Sequence, residues 1–584
     1  MGARPATSAT ISSMTSTVVS LVLAAALAFL AFATIDRRRR ERRQLAERRE
    51  RWGHWRDIDR DMAAIDRYVR AQASAGSVAN ATLDDRTWAD LNMDDVFRVL
   101  DRTESRVGQQ LLYARLRTSP VSDHQDAFEA LVTRFSSDTH ARETAQAALA
   151  TMRNADAHDI WWLTQPGTLE SRPWLLIFPV LAAAMLAIIV LVPFNPLATL
   201  LLIPGLIASV LLRATLLARV TMVIAPFRQV ASLTAAAMRL RPFAQPDTAP
   251  LTGALQADLG RLDLLRRIAG WTGRDSSASG DLSALVIEYL NLFLFLDGNA
   301  LLLGARELRG HGAELMRVVD AVGHIDAAVS VASYRAGTSG WTRPVRRPSG
   351  ASTVITDVRH PLLPDAVPNS VTLGPPHGML ITGSNMSGKT TFLRTLGTAV
   401  VMAQTINTCA ARAYDAPVLV VRSCIGRADD PSTGKSYYLV EVEAVLDLVR
   451  ASATDVPHLM LFDELFRGTN TVERIAAGEA VLVSLLETTA GRDRSPHLVV
   501  AATHDQELVD LLRATYAPYH FADTIDDSGL TFDYTLRPGP ATTWNAIALL
   551  RLRGAPTPLV ERALARARSG GLASATGQSA ALRA

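Results

Sequence analysis

Residues 379–396 read Met-Leu-Ile-Thr-Gly-Ser-Asn-Met-Ser-Gly-Lys-Thr-Thr-Phe-Leu-Arg-Thr-Leu, and no other stretch narrows the fold as far. Gly383 to Thr390 satisfies GxxxxGK[ST] in full, with an apolar run before it and a helix-forming run after it. A strand, a glycine-rich turn and a helix in that order belong to an α/β domain. The loop amides and the helix N-terminus then point at one anion. Gly383, Ser384, Asn385, Met386, Ser387, Gly388, Lys389, Thr390 and Thr391 are therefore the candidate phosphate-binding residues of a nucleoside triphosphate site. Lys389 is placed to reach the terminal phosphates, and the Thr390 hydroxyl to hold Mg²⁺. Of 60 basic residues only Lys389 and Lys435 are lysine. A compact ammonium suits a phosphate cradle better than a planar guanidinium does. An Arg-rich composition accounts for the scarcity of Lys but not for its position here.

Downstream, Pro457-His458-Leu459-Met460-Leu461-Phe462-Asp463-Glu464 is an apolar strand ending in two acids. Asp463 is the candidate metal partner and Glu464 the carboxylate that orients water. Val499-Val500-Ala501-Ala502-Thr503-His504 is a second such strand, ending in a candidate γ-phosphate contact, His504. Between the phosphate loop and the acidic strand, Ser432-Thr433-Gly434-Lys435-Ser436-Tyr437, followed by Glu441 and Glu443, suits a second phosphate contact at a helix start, with Ser436 as its centre.

The net charge of +3 forces no nucleic-acid reading, and two cysteines, Cys409 and Cys424, are too few for a disulfide framework. Two long runs lack charge: residues 5–35 and 173–212, the second divided by Pro193-Phe194-Asn195-Pro196. At about 20 apolar residues per crossing they predict one N-terminal span and one hairpin. The Arg-rich stretch from Arg37 to Arg56 marks the cytoplasmic side. A cleaved signal peptide is the alternative for the first run, although its charges follow the apolar residues rather than precede them. A pair of buried core helices is the alternative for the second.

The expected organisation is an extracytoplasmic terminus at 1–16, a transmembrane helix at 17–35 and a basic juxtamembrane helix at 36–75. Helical parts at 76–172 and 213–335 flank a transmembrane hairpin at 173–212. A linker at 336–352, an ATPase domain at 353–568 and a disordered tail at 569–584 complete it.

The order of phosphate loop, Ser/Gly stretch, Asp-Glu strand and His resembles the ABC-type ATPases, and among them the MutS family of DNA mismatch-repair proteins. Thr382 to Thr390, Asp463-Glu464 with Arg467-Gly468-Thr469, and Thr503-His504 carry the likeness. Arg359-His360-Pro361 upstream and Tyr534 to Gly539 with Asn545-Ala546 downstream extend it, and Asp101-Arg102-Thr103 with Gly108 resembles the start of the family's core domain. The resemblance implies an ABC-type α/β ATPase behind a helical core and lever, with ATP and Mg²⁺ as ligands. It also implies a homodimer, in which Ser436 of one subunit completes the site of the other, and DNA as a partner. The only Phe-x-Glu is Phe462-Asp463-Glu464, within the acidic strand itself, so the family's mismatch-reading wedge has no counterpart at the N-terminus. A membrane-anchored MutS-like ATPase at the inner face of the cytoplasmic membrane is the leading expectation. A membrane ATPase in signalling or assembly that never touches DNA is the alternative.

Overall fold

The computed structural model describes residues 34–569 apart from 37, 75–82, 119–121, 166, 169–172, 217–220, 273–289, 292, 375–377, 385, 427–436, 455, 488–496, 527–528, 542–546, 548–549 and 552. It divides into two units, residues 1–57 and 58–584. In the first, residues 38–51 are helical and mostly exposed. Asp36 and Arg40 pair one turn apart at 2.6 Å. The helix does not continue to residue 75: residues 55–61 carry no regular structure. The expected first span and the tail lie outside the described residues, except for residues 34–35 and Ser569.

The helices of the second unit include α1 (Met62–Ser74), α2 (Asp85–Asp90), α3 (Arg106–Arg117) and α4 (Ser122–Ser137). Further along the chain they include α5 (Ile177–Leu191), α6 (Thr199–Leu216), α7 (Thr221–Leu240) and α8 (Leu296–Gly337). Non-helical dihedrals at His311 (φ −129°, ψ 19°) kink α8. Small residues let its second half lie close to α3. A Cβ on Gly323 would come within 2.4 Å of Leu111, and one on Gly108 within 2.1 Å of Asp326.

Asp326 is fully buried and accepts hydrogen bonds from the Glu104 amide (2.9 Å), the Ser105 amide (2.7 Å) and the Ser105 hydroxyl (2.6 Å). Ser105 in turn accepts from the Gly108 amide and caps α3. The Asp101-Arg102-Thr103 motif is absorbed by the same junction. Asp101 is bonded by Arg60 Nε at 2.8 Å and Thr103 Oγ1 at 2.6 Å. These acids hold helices together. Asp326→Ala would strand three buried donors at once, so we expect a loss of about 3 kcal/mol or more in urea unfolding.

Of the three expected membrane helices, one meets the requirement of length and apolarity among the described residues: Trp174–Leu191. The other half of the hairpin, α6, is helical, contains Pro204 and runs into residues outside the described set. At the base of α5, Phe178 packs on the bare backbone of Gly298 and on the Phe295 ring. Further along, Val180, Val190 and Phe194 are exposed by 66%, 58% and 82%.

Beyond α8 the chain turns to β structure. Strands β1 (Val345–Arg346), β2 (Thr353–Val358), β3 (Asn369–Leu373) and β5 (Ala413–Ala416) form a four-stranded sheet in the order β1-β5-β2-β3. The expected linker belongs to this sheet: Thr342 and Cys409 exchange backbone hydrogen bonds of 2.9 and 3.0 Å, and β1 pairs with β5. Its Gly, Pro and Arg content hid that pairing.

The main sheet holds β4 (Gly378–Thr382), β6 (Val420–Cys424), β7 (His458–Asp463), β8 (Leu498–Ala502), β9 (Tyr516–Asp526) and β10 (Gly529–Pro538), in the order β10-β9-β4-β8-β7-β6. All its pairings are parallel except β9–β10. Helices α9 (Lys389–Ile406), α10 (Tyr437–Ser452) and α11 (Thr471–Leu486) pack on it. Buried on both faces, β4 and β8 read as unbroken apolar runs, as parallel strands should. Their C-terminal ends, with that of β7, meet at one rim, where open α/β sheets bind ligands.

Candidate active site

The loop from β4 to α9 is shaped by two glycines. Gly383 (φ 146°) leaves no room for a Cβ, which would fall 2.8 Å from Ser387 Oγ and 2.9 Å from the Phe521 carbonyl. Gly388 (φ 106°) turns the chain directly into α9. Met386 stands out at 83% exposure. Lys389 is buried, and its Nζ donates to the carbonyls of Gly383 and Ser384, both at 3.0 Å. Burial lowers its pKa, against the pull of Glu464 and Asp463.

Lys389 Nζ lies 3.3 Å from His504 Nε2, and His504 Nε2 lies 2.7 Å from Glu464 Oε1. The second Glu464 oxygen pairs with Arg467 at 2.7 Å. Burial works to raise the Glu464 carboxyl, but the hydrogen bond and charge of His504, with Arg467 and Lys389, hold it below its ordinary value. The backbone helps to aim it. Glu464 adopts φ 57°, a left-handed conformation rare outside glycine, and its amide donates to the Ala502 carbonyl of β8 at 3.0 Å.

Thr390 Oγ1 donates to Asp463 Oδ2 at 2.6 Å. Asp463 Oδ1 is buried with no hydrogen-bond partner among the described residues, as are the hydroxyls of Ser384 and Ser387. Burial raises the Asp463 carboxyl, outweighing the Thr390 hydrogen bond. An oxygen-lined spot with an unused carboxylate oxygen fits a hard divalent cation such as Mg²⁺, held by Thr390 and Asp463. The unused serine hydroxyls fit phosphate oxygens.

Thus Gly383, Ser384, Met386, Ser387, Gly388, Lys389, Thr390, Asp463, Glu464 and His504 converge at one rim, and Thr391 lines the adjoining cleft from the first turn of α9. Asn385 and Ser436 lie outside the described residues. Ser436 immediately precedes α10, whose Glu441 accepts from the Phe466 amide at 2.5 Å just past the acidic strand.

The cleft encloses about 1390 Å³. Residues that the sequence did not single out complete it. Asn369 fixes the outer wall, donating to the Tyr534 carbonyl (3.0 Å) and accepting from the Leu536 amide (2.7 Å). Arg86 and Asp90, from the helical region, line the opposite side. Cys424 also lines it, but burial pushes its thiol up to about 12, so it is no nucleophile at neutral pH.

Residues 379–569 match the family model of MutS domain V. This chain is MutS-like. It is 35% identical over 274 residues to "DNA mismatch repair protein MutS 2" of Halobacterium salinarum, covering 45% of this chain and 30% of the relative. It is 36% identical over 203 residues to "DNA mismatch repair protein MutS" of Streptococcus equi, covering 34% and 23%. A Synechococcus relative of the same name is 32% identical over 271 residues, covering 44% and 30%. The match therefore spans less than a third of each of these relatives. The family model covers the whole rim built by the ends of β4, β7 and β8.

Proposed function

We propose that this MutS-like chain binds ATP with Mg²⁺ and hydrolyses it. The observation that carries the reading is the continuous contact from Lys389 through His504 to Glu464, beside the Thr390–Asp463 pair, at the end of three parallel strands. The loop amides and Lys389 hold the β- and γ-phosphates in line. Glu464, kept anionic and fixed by His504 and Arg467, orients a water and draws its proton as oxygen attacks the γ-phosphorus and ADP departs. His504 is placed to steady the transferring phosphoryl oxygens. Bound Mg²⁺ would neutralise charge on the β- and γ-phosphates.

We further propose a homodimer in which Ser436 of a second copy closes each site, and a role on DNA. The support is the MutS likeness and the function in the relatives' names. Anchoring at the inner face of the cytoplasmic membrane is part of the same proposal. It is supported by the exposed apolar surface from Val180 to Phe194 and by the Arg-rich helix at 38–51.

Full-length protein in lipid vesicles tests these parts together. Phosphate release should require Mg²⁺ and stop with EDTA. Binding to duplex, mismatched and branched DNA should fall steeply with salt and alter turnover. No Mg²⁺-dependent release would sink the ATPase. Release that ignores DNA at low salt would sink the DNA role and leave a membrane ATPase of signalling or assembly.

A further inference from the structure

The edge of the main sheet nearest the acidic strand is covered by a short helix from far away in sequence. Among the described residues, strand β6 is terminal in the sheet, paired on one side with β7 and with no strand on its other side. Such an edge presents backbone donors that must be met or solvated. Here α2 meets them. The Ser423 amide donates to Thr87 Oγ1 at 3.1 Å, and the Ile425 amide to Asp90 Oδ2 at 2.9 Å. These alternate positions face outward from a strand.

Asp90 does more. Its Oδ2 also accepts from the Ser423 hydroxyl (2.7 Å), and its Oδ1 from the Gly426 amide (2.7 Å). A Cβ at Gly426 would come within 2.4 Å of that oxygen, so glycine permits the approach. The Asp90 carbonyl accepts from Arg394 Nε at 2.8 Å. Arg394 lies on α9, five residues after Lys389. Asp84, which caps α2, pairs with Arg422 of β6 at 3.1 Å. One residue, 6% exposed, thus ties the end of β6 to the helix that begins at the phosphate loop.

A second joint between the helical region and α9 lies at the other end of that helix. Arg335 makes a two-pronged pair with Glu129 at 2.7 Å, and Glu129 also accepts from Asn407 at 2.9 Å. Arg115 Nε donates to the Thr405 carbonyl at 2.6 Å. Eleven residues of α9, about 17 Å of helix, separate Arg394 from Thr405, so only the Asp90 joint adjoins the cleft.

We propose that Asp90 is a positioning residue for hydrolysis. By fixing β6 against α9 it sets the distance between the acidic strand, β7, and the phosphate loop, and it makes the helical region part of the catalytic frame. This rests on the ATPase reading given above. β6 and β7 are in register with Cys424 beside Phe462, one residue before Asp463, so displacement of the β6 end moves the metal-binding and water-orienting acids relative to Lys389.

The test compares full-length Asp90→Ala and Thr87→Val with Glu129→Ala in vesicles, far below each variant's melting temperature. Asp90→Ala should lower kcat about tenfold or more while KM and affinity for a fluorescent ATP analogue stay within about twofold. Thr87→Val should act in the same direction more weakly. Glu129→Ala should lower the melting temperature comparably and leave kcat within twofold. A normal kcat in Asp90→Ala with wild-type turnover present would overturn the proposal and leave the ATPase standing. Equal loss of kcat in Asp90→Ala and Glu129→Ala would assign Asp90 to stability alone. Absence of wild-type turnover would remove both readings.

Discussion

Glu464→Gln should bind ATP and fail to hydrolyse it, with turnover falling at least about a hundredfold and nucleotide affinity holding within a few-fold. The geometry separates the two effects. Glu464 directs its oxygens to His504 and Arg467. A glutamine retains one acceptor oxygen and the same length, and it fits the left-handed backbone as well as glutamate does. It lacks the charge that draws a proton from water. Removing that charge also relieves the attraction on Lys389, which burial already disfavours as a cation. It also removes the repulsion between that carboxylate and the ATP phosphates, and the two effects oppose each other, so the net change in binding should be small. Single-turnover phosphate release and equilibrium titration with labelled ATP read the two quantities separately. Undiminished release would mean that another group orients the water.

The sequence made the rim of the site legible because each element there is local. Gly383 and Gly388 must be glycine for backbone reasons, Asp463 and Glu464 end an apolar strand, and His504 ends another. Spacing along the chain reports all of them. Asp90, Asn369 and Glu129 were illegible for the opposite reason. Each acts through contacts across more than a hundred residues, and an isolated Asp or Asn in a helical or loop pattern looks like any solvated side chain. The same limit misread residues 336–352. A Gly-, Pro- and Arg-rich segment has the composition of a linker, yet its backbone amides complete a sheet whose partner strand lies 70 residues on. The apolar run at 173–212 was legible as helices. Composition alone does not decide what covers them, and the exposed side chains of α5 now weigh against its burial in a protein core.

Lys389→Arg should be nearly as damaging to nucleotide binding as Lys389→Ala, and this outcome separates shape from charge. Arginine supplies almost every other positive charge in the chain, so a site needing charge alone could have used it. The space around Nζ explains why this one does not. The ammonium sits between two carbonyl oxygens at 3.0 Å, with the His504 ring nitrogen at 3.3 Å. An ammonium offers three donors from one atom and can satisfy the loop carbonyls and a phosphate together. A guanidinium spreads its donors over a plane wider than this gap and would push His504 off Glu464. Both variants should weaken MgATP binding at least about tenfold and abolish turnover, with the melting temperature of the unliganded protein little changed. An arginine variant that binds MgATP within threefold of wild type would show that the loop is looser than its contacts imply, and that the constraint on Lys389 is not steric.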